Sequence, residues 1–371
     1  MISFKDLIAF LNPAWHAAQH AGMGVVGDLA PTKLAIAIAK TLAGVSDTRI
    51  LMGGDSTTYG VGAVIGSTSL PALLANRLAV RLPVPVINNL IIPQAPTSPT
   101  SDSRITIGSG WSYGGNYGFG SNASWQATSG ASGNLGFTYS AWANKIRIYY
   151  LRNSGLGGFT PTINSVALTA QSAAGAGGVG VYEATFTRSN SITGSIAQTT
   201  VGTLFILGIE FFDTTQKCIY IGNAGVAGAT AADWNAGGLW ASNPMIAAYA
   251  PNHSIAMFGI NESAQGVTAA AYNAAMTTLA ATLAGYGDVD LMTPFQSDPT
   301  IGRDTLQTQY LSQLQQISAA NGYRLIDVRA TLGSYAAANA ASLMWDQSHP
   351  NAAGYALSAK GPAKYILAVA G

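Results

Sequence analysis

A serine near the start of the chain and an aspartate–histidine pair near its end have the types and spacing needed for nucleophilic catalysis. Ser56 lies in the run Gly53-Gly54-Asp55-Ser56, where the glycines allow a sharp turn that exposes the hydroxyl. Asp346 and His349 are three residues apart, so one turn can present both side chains. A serine hydroxyl needs a base such as histidine, and a carboxylate then fixes the imidazole tautomer. Because the chain contains only four histidines, His349 stands out as the candidate base.

Two further segments could supply hydrogen-bond donors to an oxyanion. Asn223–Thr230 is rich in glycine and follows the predicted strand Cys218–Ile221, and Gly259–Glu262 follows the predicted strand Ser254–Phe258. Backbone N–H groups at glycine and the asparagine amide are the usual donors in acyl transfer. Taken singly, each segment also fits an ordinary turn between a strand and a helix.

Together the four segments resemble the conserved blocks of the SGNH (GDSL-type) hydrolase superfamily, which are Gly-Asp-Ser, a glycine after a strand, Gly-x-Asn-Asp and Asp-x-x-His. The resemblance implies that Ser56 is the nucleophile, that His349 is the base and later the acid, and that Asp346 orients His349. It implies no metal and no cofactor. The resemblance covers about residues 46–84 and 214–371.

The same resemblance implies an oxyanion hole built from the N–H groups of Ser56 and Gly228 and the side chain of Asn261. Gly225 is the competing choice for Gly228, but the spacing from Asn223 favours Gly228. Glu262 departs from the family pattern, which usually has aspartate after the asparagine, and we expect this change to affect local packing rather than activity.

The elements that would position these residues alternate between strand and helix at both ends of the chain. Apolar spacing predicts helices over Leu70–Leu82, Val267–Leu283, Asp304–Ala320 and Ala352–Val369, and short apolar runs predict buried strands between them. Such alternation indicates an α/β domain with a parallel sheet, in the three-layer α/β/α arrangement of the resembled family. Between these parts lie about 130 residues of short alternating strands with glycine-rich turns, which predict an inserted all-β domain of the sandwich or jelly-roll kind.

We therefore predict four segments. They are a helical N-terminal segment (1–45), the first part of the hydrolase domain (46–84), the inserted β-sandwich domain (85–213) and the second part of the hydrolase domain (214–371).

Composition excludes several classes of function. Charged residues make up only 9% of the 371 residues and the net charge is +1, so there is no basic field for nucleic acid. No apolar run is long enough to predict a transmembrane segment. The single cysteine excludes an intrachain disulfide and a cysteine-based zinc site. The N-terminus has no recognisable signal peptide. We favour an extracellular or virion-associated location, which then needs another export route or assembly into a virus particle.

Other candidate residues have simpler interpretations. Ser112 lies in a Gly-x-Ser-x-Gly motif, but the glycine-rich residues after it cannot begin the helix that a nucleophile elbow requires. His16 and His20 have helical i,i+4 spacing without an evident third metal ligand, so we interpret them as surface residues. His253 precedes a predicted strand and is interpreted as structural.

These observations predict a serine esterase that removes acyl groups, most simply acetyl, from a carbohydrate. By analogy of architecture, the inserted sandwich resembles arrangements in polysaccharide O-acetyl esterases of bacterial envelopes and phage tails. One alternative is a lipid, aryl or polyester esterase of the same fold. The other is a non-catalytic glycan-binding or phage tail structural protein. The expected partner is an acylated small molecule or an O-acetylated glycan, and the sequence does not predict an oligomeric state.

Overall fold

The computed structural model describes residues 32–94, 102–121 and 124–370. In chain order its strands are β1 (Thr48–Gly54), β2 (Val86–Asn88), β3 (Leu90–Ile91), β4 (Ile105–Ile107), β5 (Trp111–Gly114), β6 (Ser124–Ala127), β7 (Asn134–Tyr139), β8 (Ala143–Arg152), β9 (Gly158–Ile163), β10 (Val166–Ala167), β11 (Gln171–Ser172), β12 (Gly178–Ser189), β13 (Ile192–Gln198), β14 (Leu204–Phe212), β15 (Ile219–Gly225), β16 (His253–Met257), β17 (Asp288–Met292) and β18 (Arg324–Ile326).

Helices lie almost entirely before and after the strand-rich middle of the chain. They are α1 (Lys33–Leu42), α2 (Ser56–Tyr59), α3 (Leu70–Ala79), α4 (Ala231–Trp234), α5 (Ser242–Tyr249), α6 (Ile260–Ala264), α7 (Ala269–Ala284), α8 (Asp304–Asn321), α9 (Val328–Leu332), α10 (Tyr335–Ala340), α11 (Ala352–Ser358) and α12 (Lys360–Ala370).

A six-stranded parallel sheet forms the centre of the α/β part, in the order β18-β17-β16-β1-β15-β2. Successive side chains of a strand point to opposite faces. Accordingly, Ile50 and Met52 of β1 pack with helices α1, α3, α11 and α12 on one face. Leu51 packs with α5, α7 and α8 on the other face. The predicted α/β fold with a parallel sheet between two helical layers is therefore confirmed.

The middle of the chain forms two antiparallel sheets. One has the order β12-β8-β14-β6-β5 with β3 beside β14, and the other has the order β10-β9-β13-β7-β4 with β11 beside β9. Both sheets contribute to one hydrophobic cluster, in which Trp125 and Ile148 of the first meet Phe137 and Phe159 of the second. The two sheets therefore pack face to face within the range where the sequence predicts an all-β insertion.

Several elements differ in detail from the sequence-based prediction. Val86–Asn88 lies within the range 85–213 assigned to the insertion, yet it pairs in parallel with Ile219–Ile221, so the chain leaves the parallel sheet only after Asn88. The helix predicted over Ala352–Val369 is two helices, because the first ends at Ser358 and Ala359 caps it. The sequence does not predict strand β17, because its two aspartates are unusual in a buried strand.

Other predictions concern the N-terminal segment and the serine of the Gly-x-Ser-x-Gly motif. Within the segment 1–45 that is predicted to be helical, Lys33–Leu42 forms a helix. The rest of the predicted helical segment, including His16 and His20, falls outside the described residues. Ser112 lies in β5 and pairs with Gln126, so it does not occupy a strand-to-helix elbow.

A buried ion pair joins the parallel sheet to the antiparallel sheets. The Arg49 guanidinium of β1 donates to both carboxylate oxygens of Glu210 in β14, at 2.9 and 2.7 Å. Glu210 is fully buried and also accepts from the hydroxyl of Tyr149 and the amide of Asn89. A buried carboxylate of this kind is tolerated only while it is paired and hydrogen-bonded.

We expect Arg49→Leu to lower the free energy of unfolding by about 3 kcal/mol, because it leaves the buried Glu210 charge with only the more distant Arg147 guanidinium, at 3.6 Å, as a cationic partner among the described residues. Guanidinium unfolding followed by circular dichroism measures the loss. Adding Glu210→Gln should recover part of it, since the amide oxygen can still accept from Asn89 and the amide NH₂ can donate to the Tyr149 hydroxyl, without a buried charge. Lys145→Leu, which breaks the more exposed pair with Glu183, should cost at most about 1 kcal/mol. An Arg49→Leu protein as stable as the wild type would contradict this interpretation.

Candidate active site

Ser56 lies at a tight turn from strand to helix. β1 ends at Gly54, where a Cβ atom would stand 2.6 Å from the carbonyl oxygen of Met257, so only glycine fits. Asp55 then caps the short helix α2, and its Oδ1 accepts from the Thr57 N–H at 2.8 Å. Gly60, with φ of 112°, ends the helix after one turn. This geometry holds Ser56 as the first helical residue at the carboxyl edge of the sheet, where sites of open α/β folds gather.

His349 and Asp346 lie in the loop before α11, and their loop is fixed by main-chain hydrogen bonds. Asp346 Oδ1 accepts from the backbone N–H groups of Ser348 and His349, both at 2.7 Å. Asp346 Oδ2 lies 2.8 Å from His349 Nδ1. Burial favours the neutral acid, but the hydrogen bonds from His349 and Ser348 outweigh it and hold the pKa of Asp346 below its usual range.

The structure brings the serine, the histidine and the aspartate into one hydrogen-bonded chain, although Ser56 and His349 are far apart in sequence. Ser56 Oγ lies 2.9 Å from His349 Nε2. Because the Asp346 carboxylate can only accept, Nδ1 carries the ring proton and the lone pair of Nε2 faces the serine hydroxyl. The Tyr355 hydroxyl donates to the carbonyl of Val61 at 2.8 Å and thereby ties α11 to the loop that follows Ser56.

The two glycine- and asparagine-containing turns flank the nucleophile because their strands end level with β1. Gly54 pairs with Gly225 of β15 on one side and with Met257 of β16 on the other. Asn261 Nδ2 donates to the carbonyl of Ala229 at 2.8 Å, which joins the two turns and leaves the second amide hydrogen for another acceptor.

Gly225 and Gly228 differ in their hydrogen bonds and in the space around them. The Gly225 N–H donates to Asn223 Oδ1 at 3.1 Å, and a Cβ there would lie 2.1 Å from the backbone nitrogen of Tyr59. Gly228 has φ of 84° and open space around it, and its N–H has no partner among the described residues. These differences favour Gly228 over Gly225 as an oxyanion donor, and that role stays a prediction.

Glu262 supports the residues that follow Gly228 through a buried hydrogen bond. It is 2% exposed, and its Oε1 accepts from the Ala231 N–H at 2.8 Å. With the bond from Asn261 to Ala229, this contact holds the segment that directly follows Gly228. Burial, with a smaller contribution from the charge of Asp55, raises the pKa of Glu262 to about 7. The only sequence signal was the unusual Glu after Asn261.

We expect Glu262→Gln to remove a pH dependence of stability. With a pKa of about 7 in the folded state and 4.5 as its ordinary value, Glu262 keeps its proton after unfolded chains have lost theirs. The free energy of unfolding of the wild type therefore falls as pH rises through this window, by on the order of 2–3 kcal/mol between about pH 5 and pH 8. Denaturant unfolding of both proteins at several pH values measures the difference.

The control is Glu183→Gln. It removes an exposed carboxyl that is paired with Arg147, and the pKa of this carboxyl lies below its usual range. It should keep the wild-type pH dependence above about pH 6, because that carboxyl is ionised in both states there. The same pH dependence in wild type and Glu262→Gln would show that Glu262 is ionised in the folded protein.

His253, the remaining candidate histidine within the described residues, lies away from the Ser56–His349 pair. His253 is fully buried at the start of β16, with Nε2 3.3 Å from Asp290 Oδ2, at the opposite edge of the sheet. In the part of the chain that the structure describes, no group of three or more His, Cys, Asp or Glu side chains could hold a metal ion. Over the same residues, no helix is long and apolar enough to cross a membrane.

Comparison with known proteins assigns part of the chain to a family. Residues 213–357 match the model of the GDSL-like Lipase/Acylhydrolase family. No curated protein matches the chain. Among solved structures, a peptidoglycan O-acetylesterase superimposes with a TM-score of 0.70 at 17% identity, over 91% of this chain and 96% of that one.

Other solved structures match only a smaller part of the chain. A lipolytic protein of the G-D-S-L family from Veillonella parvula covers 39% of this chain and 79% of its own, at 21% identity and a TM-score of 0.34. An acetylxylan esterase from Geobacillus stearothermophilus covers 41% and 74%, at 22% identity and a TM-score of 0.33. The family match and the fold shared along most of the chain agree with the resemblance deduced from the four motifs. The chain therefore contains a GDSL/SGNH hydrolase domain.

Proposed function

We propose that this protein is a serine esterase in which Ser56, His349 and Asp346 perform the chemistry. The observation that carries the proposal is the chain of hydrogen bonds from Ser56 Oγ to His349 Nε2 at 2.9 Å and from His349 Nδ1 to Asp346 Oδ2 at 2.8 Å. It is the arrangement that a hydroxyl nucleophile, its base and an orienting carboxylate require.

In the proposed reaction, Ser56 Oγ attacks the ester carbonyl while His349 Nε2 takes the hydroxyl proton. The tetrahedral intermediate collapses, His349 returns the proton to the departing alcohol oxygen, and an acyl–serine ester remains. Water then attacks that ester with His349 again as base, which releases the acid and restores Ser56. Asp346 keeps Nδ1 protonated and stabilises the imidazolium formed in each half of the reaction.

The intermediate carries a negative oxygen that needs donors fixed in advance. We assign this role to the N–H groups of Ser56 and Gly228 and to the Asn261 amide. Ser56 begins its helix, so its N–H lacks an intrahelical partner, and Gly228 N–H is likewise unpartnered within the described ranges. The Ala229 contact of Asn261 fixes the amide plane beside them.

As substrate we propose an acetyl ester on a carbohydrate. The support is the likeness of fold, over most of both chains, to a protein described as a peptidoglycan O-acetylesterase. The proposal assigns residues 46–84 and 214–371 to the hydrolase domain, with the correction at β2 described above, and the antiparallel sheets to an insertion within it.

The experiment that tests this proposal is a screen for acetate release. The purified protein is incubated with O-acetylated peptidoglycan, acetylated xylan and other O-acetylated oligosaccharides, and with p-nitrophenyl acetate and p-nitrophenyl octanoate. We expect acetate release from at least one glycan and preference for the acetyl over the octanoyl ester. A clear preference for octanoate without release from any glycan would contradict the carbohydrate assignment, and no turnover of any ester would contradict the esterase.

A further inference from the structure

An exposed tryptophan stands directly beside the catalytic histidine. Trp345 precedes Asp346 in sequence and is 47% exposed, which is unusual for so large an apolar side chain. Its indole ring lies 6.2 Å from the His349 imidazole, centroid to centroid, at an interplanar angle of 64°. The ring is therefore part of the rim over which an ester must approach Ser56.

The position of Trp345 is fixed by its main chain and by the loop that packs beneath it. Its backbone N–H donates to the carbonyl of His349 at 2.8 Å. On the other side, a Cβ atom at Gly62 would lie 2.8 Å from Trp345 Cβ, so the loop that follows the nucleophile helix is in close contact with it. A rigid aromatic surface binds a ligand with little loss of side-chain entropy.

The surroundings of the indole favour a sugar over an acyl chain. Gln347, two positions after it, is exposed, and Arg303 lies by the same loop, where it donates to Ser348 Oγ at 3.3 Å. A site for a fatty acyl chain would need a continuous apolar surface, whereas these neighbours can bond to hydroxyl groups. A pyranose ring combines a face of C–H groups, which packs on an aromatic ring, with hydroxyls at its edge that need polar partners.

From this geometry we propose a sugar-binding subsite in which Trp345 stacks against the pyranose ring that carries the ester. The subsite rests on the proposed function, because it places the acetylated hydroxyl of that ring at Ser56. Trp345 acts by binding the alcohol part of the substrate, and it takes no part in proton transfer.

The test compares substrates with and without a sugar ring. Trp345→Ala is assayed on the best O-acetylated oligosaccharide and on ethyl acetate, whose alcohol part cannot stack. We expect kcat/KM on the oligosaccharide to fall about tenfold or more, mainly through KM, and the rate on ethyl acetate to change less than about twofold. Trp345→Phe should retain most of the oligosaccharide activity.

Trp142→Ala is the matched control, because Trp142 is 45% exposed but lies in the strand-rich region under the Arg188 guanidinium. It should leave both rates unchanged. Equal losses on both substrates would overturn the subsite by showing that Trp345 acts through His349, and no loss on the oligosaccharide would overturn it as well.

Binding to inactive protein separates this subsite from the esterase proposal. The oligosaccharide should bind Ser56→Ala in isothermal titration calorimetry and bind Ser56→Ala/Trp345→Ala about tenfold more weakly or not at all. Equal binding by the two proteins would overturn the subsite, whatever the activity. A wild type that hydrolyses ethyl acetate but neither binds nor hydrolyses any oligosaccharide would overturn the subsite and leave the esterase standing.

Discussion

Replacing Ser56 by alanine is expected to lower kcat for ester hydrolysis by about 10⁴-fold or more. The variant loses the oxygen that attacks the carbonyl and forms the acyl–enzyme, and no other described hydroxyl hydrogen-bonds to His349 Nε2. Some acceleration over water should remain, because the oxyanion donors and the binding surface are unchanged. Release of p-nitrophenol from p-nitrophenyl acetate measures the loss, and acetate release from a glycan substrate should fall in parallel.

Ser112→Ala is the matched control for this experiment. It makes the same change in the Gly-x-Ser-x-Gly motif, where the serine is exposed on β5. We expect wild-type rates from it. Ser56→Ala should also keep the wild-type circular dichroism and unfolding midpoint, since within the described ranges the Ser56 side chain hydrogen-bonds to His349 alone. Ser56→Ala with more than about a tenth of the wild-type kcat would refute the nucleophile assignment.

The strands and helices around Ser56 could be predicted from sequence because local signals agree there with the tertiary structure. The apolar stretch before Gly53 is a buried strand, and the Asp-Ser sequence after it is a helix cap. The spacing of Asp346 and His349 likewise reflects a local turn, closed by the hydrogen bonds of the Asp346 carboxylate. In such segments the local sequence contains most of the information needed to predict the secondary structure.

Features that depend on partners far along the chain could not be predicted. Asp288–Met292 is short and contains two aspartates, and its pairing with β16 and β18 makes it a buried strand. Arg49 and Glu210 are single charges 161 positions apart, and nothing in either neighbourhood indicates that they meet. The contact of Glu262 with Ala231 similarly depends on two strands, β15 and β16, ending at the same level on either side of β1.

Asp346→Asn is expected to lower kcat by about 10⁴-fold while preserving the fold. The Asp346 Oδ1 atom accepts two backbone N–H groups, so an asparagine will keep its carbonyl oxygen in that place. Its NH₂ group then takes the place of Oδ2 and donates to His349 Nδ1. The ring proton must move to Nε2, where it faces Ser56 Oγ, and the histidine can no longer accept the hydroxyl proton. Burst and steady-state kinetics on p-nitrophenyl acetate measure the effect on acylation.

The comparison that isolates the tautomer is Asp298→Asn. Asp298 lies in the adjoining loop, where its backbone N–H bonds to the carbonyl of Gln347 and its side chain caps Thr300 rather than His349. The same chemical change there should leave kcat within about twofold of the wild type.

Asp346→Ala should be less impaired than Asp346→Asn, because water at the vacated position can still accept from Nδ1. If Asp346→Asn kept more than about a tenth of the wild-type kcat, the proton on Nδ1 would not control the reaction, and Asp346 would serve only to shape the loop.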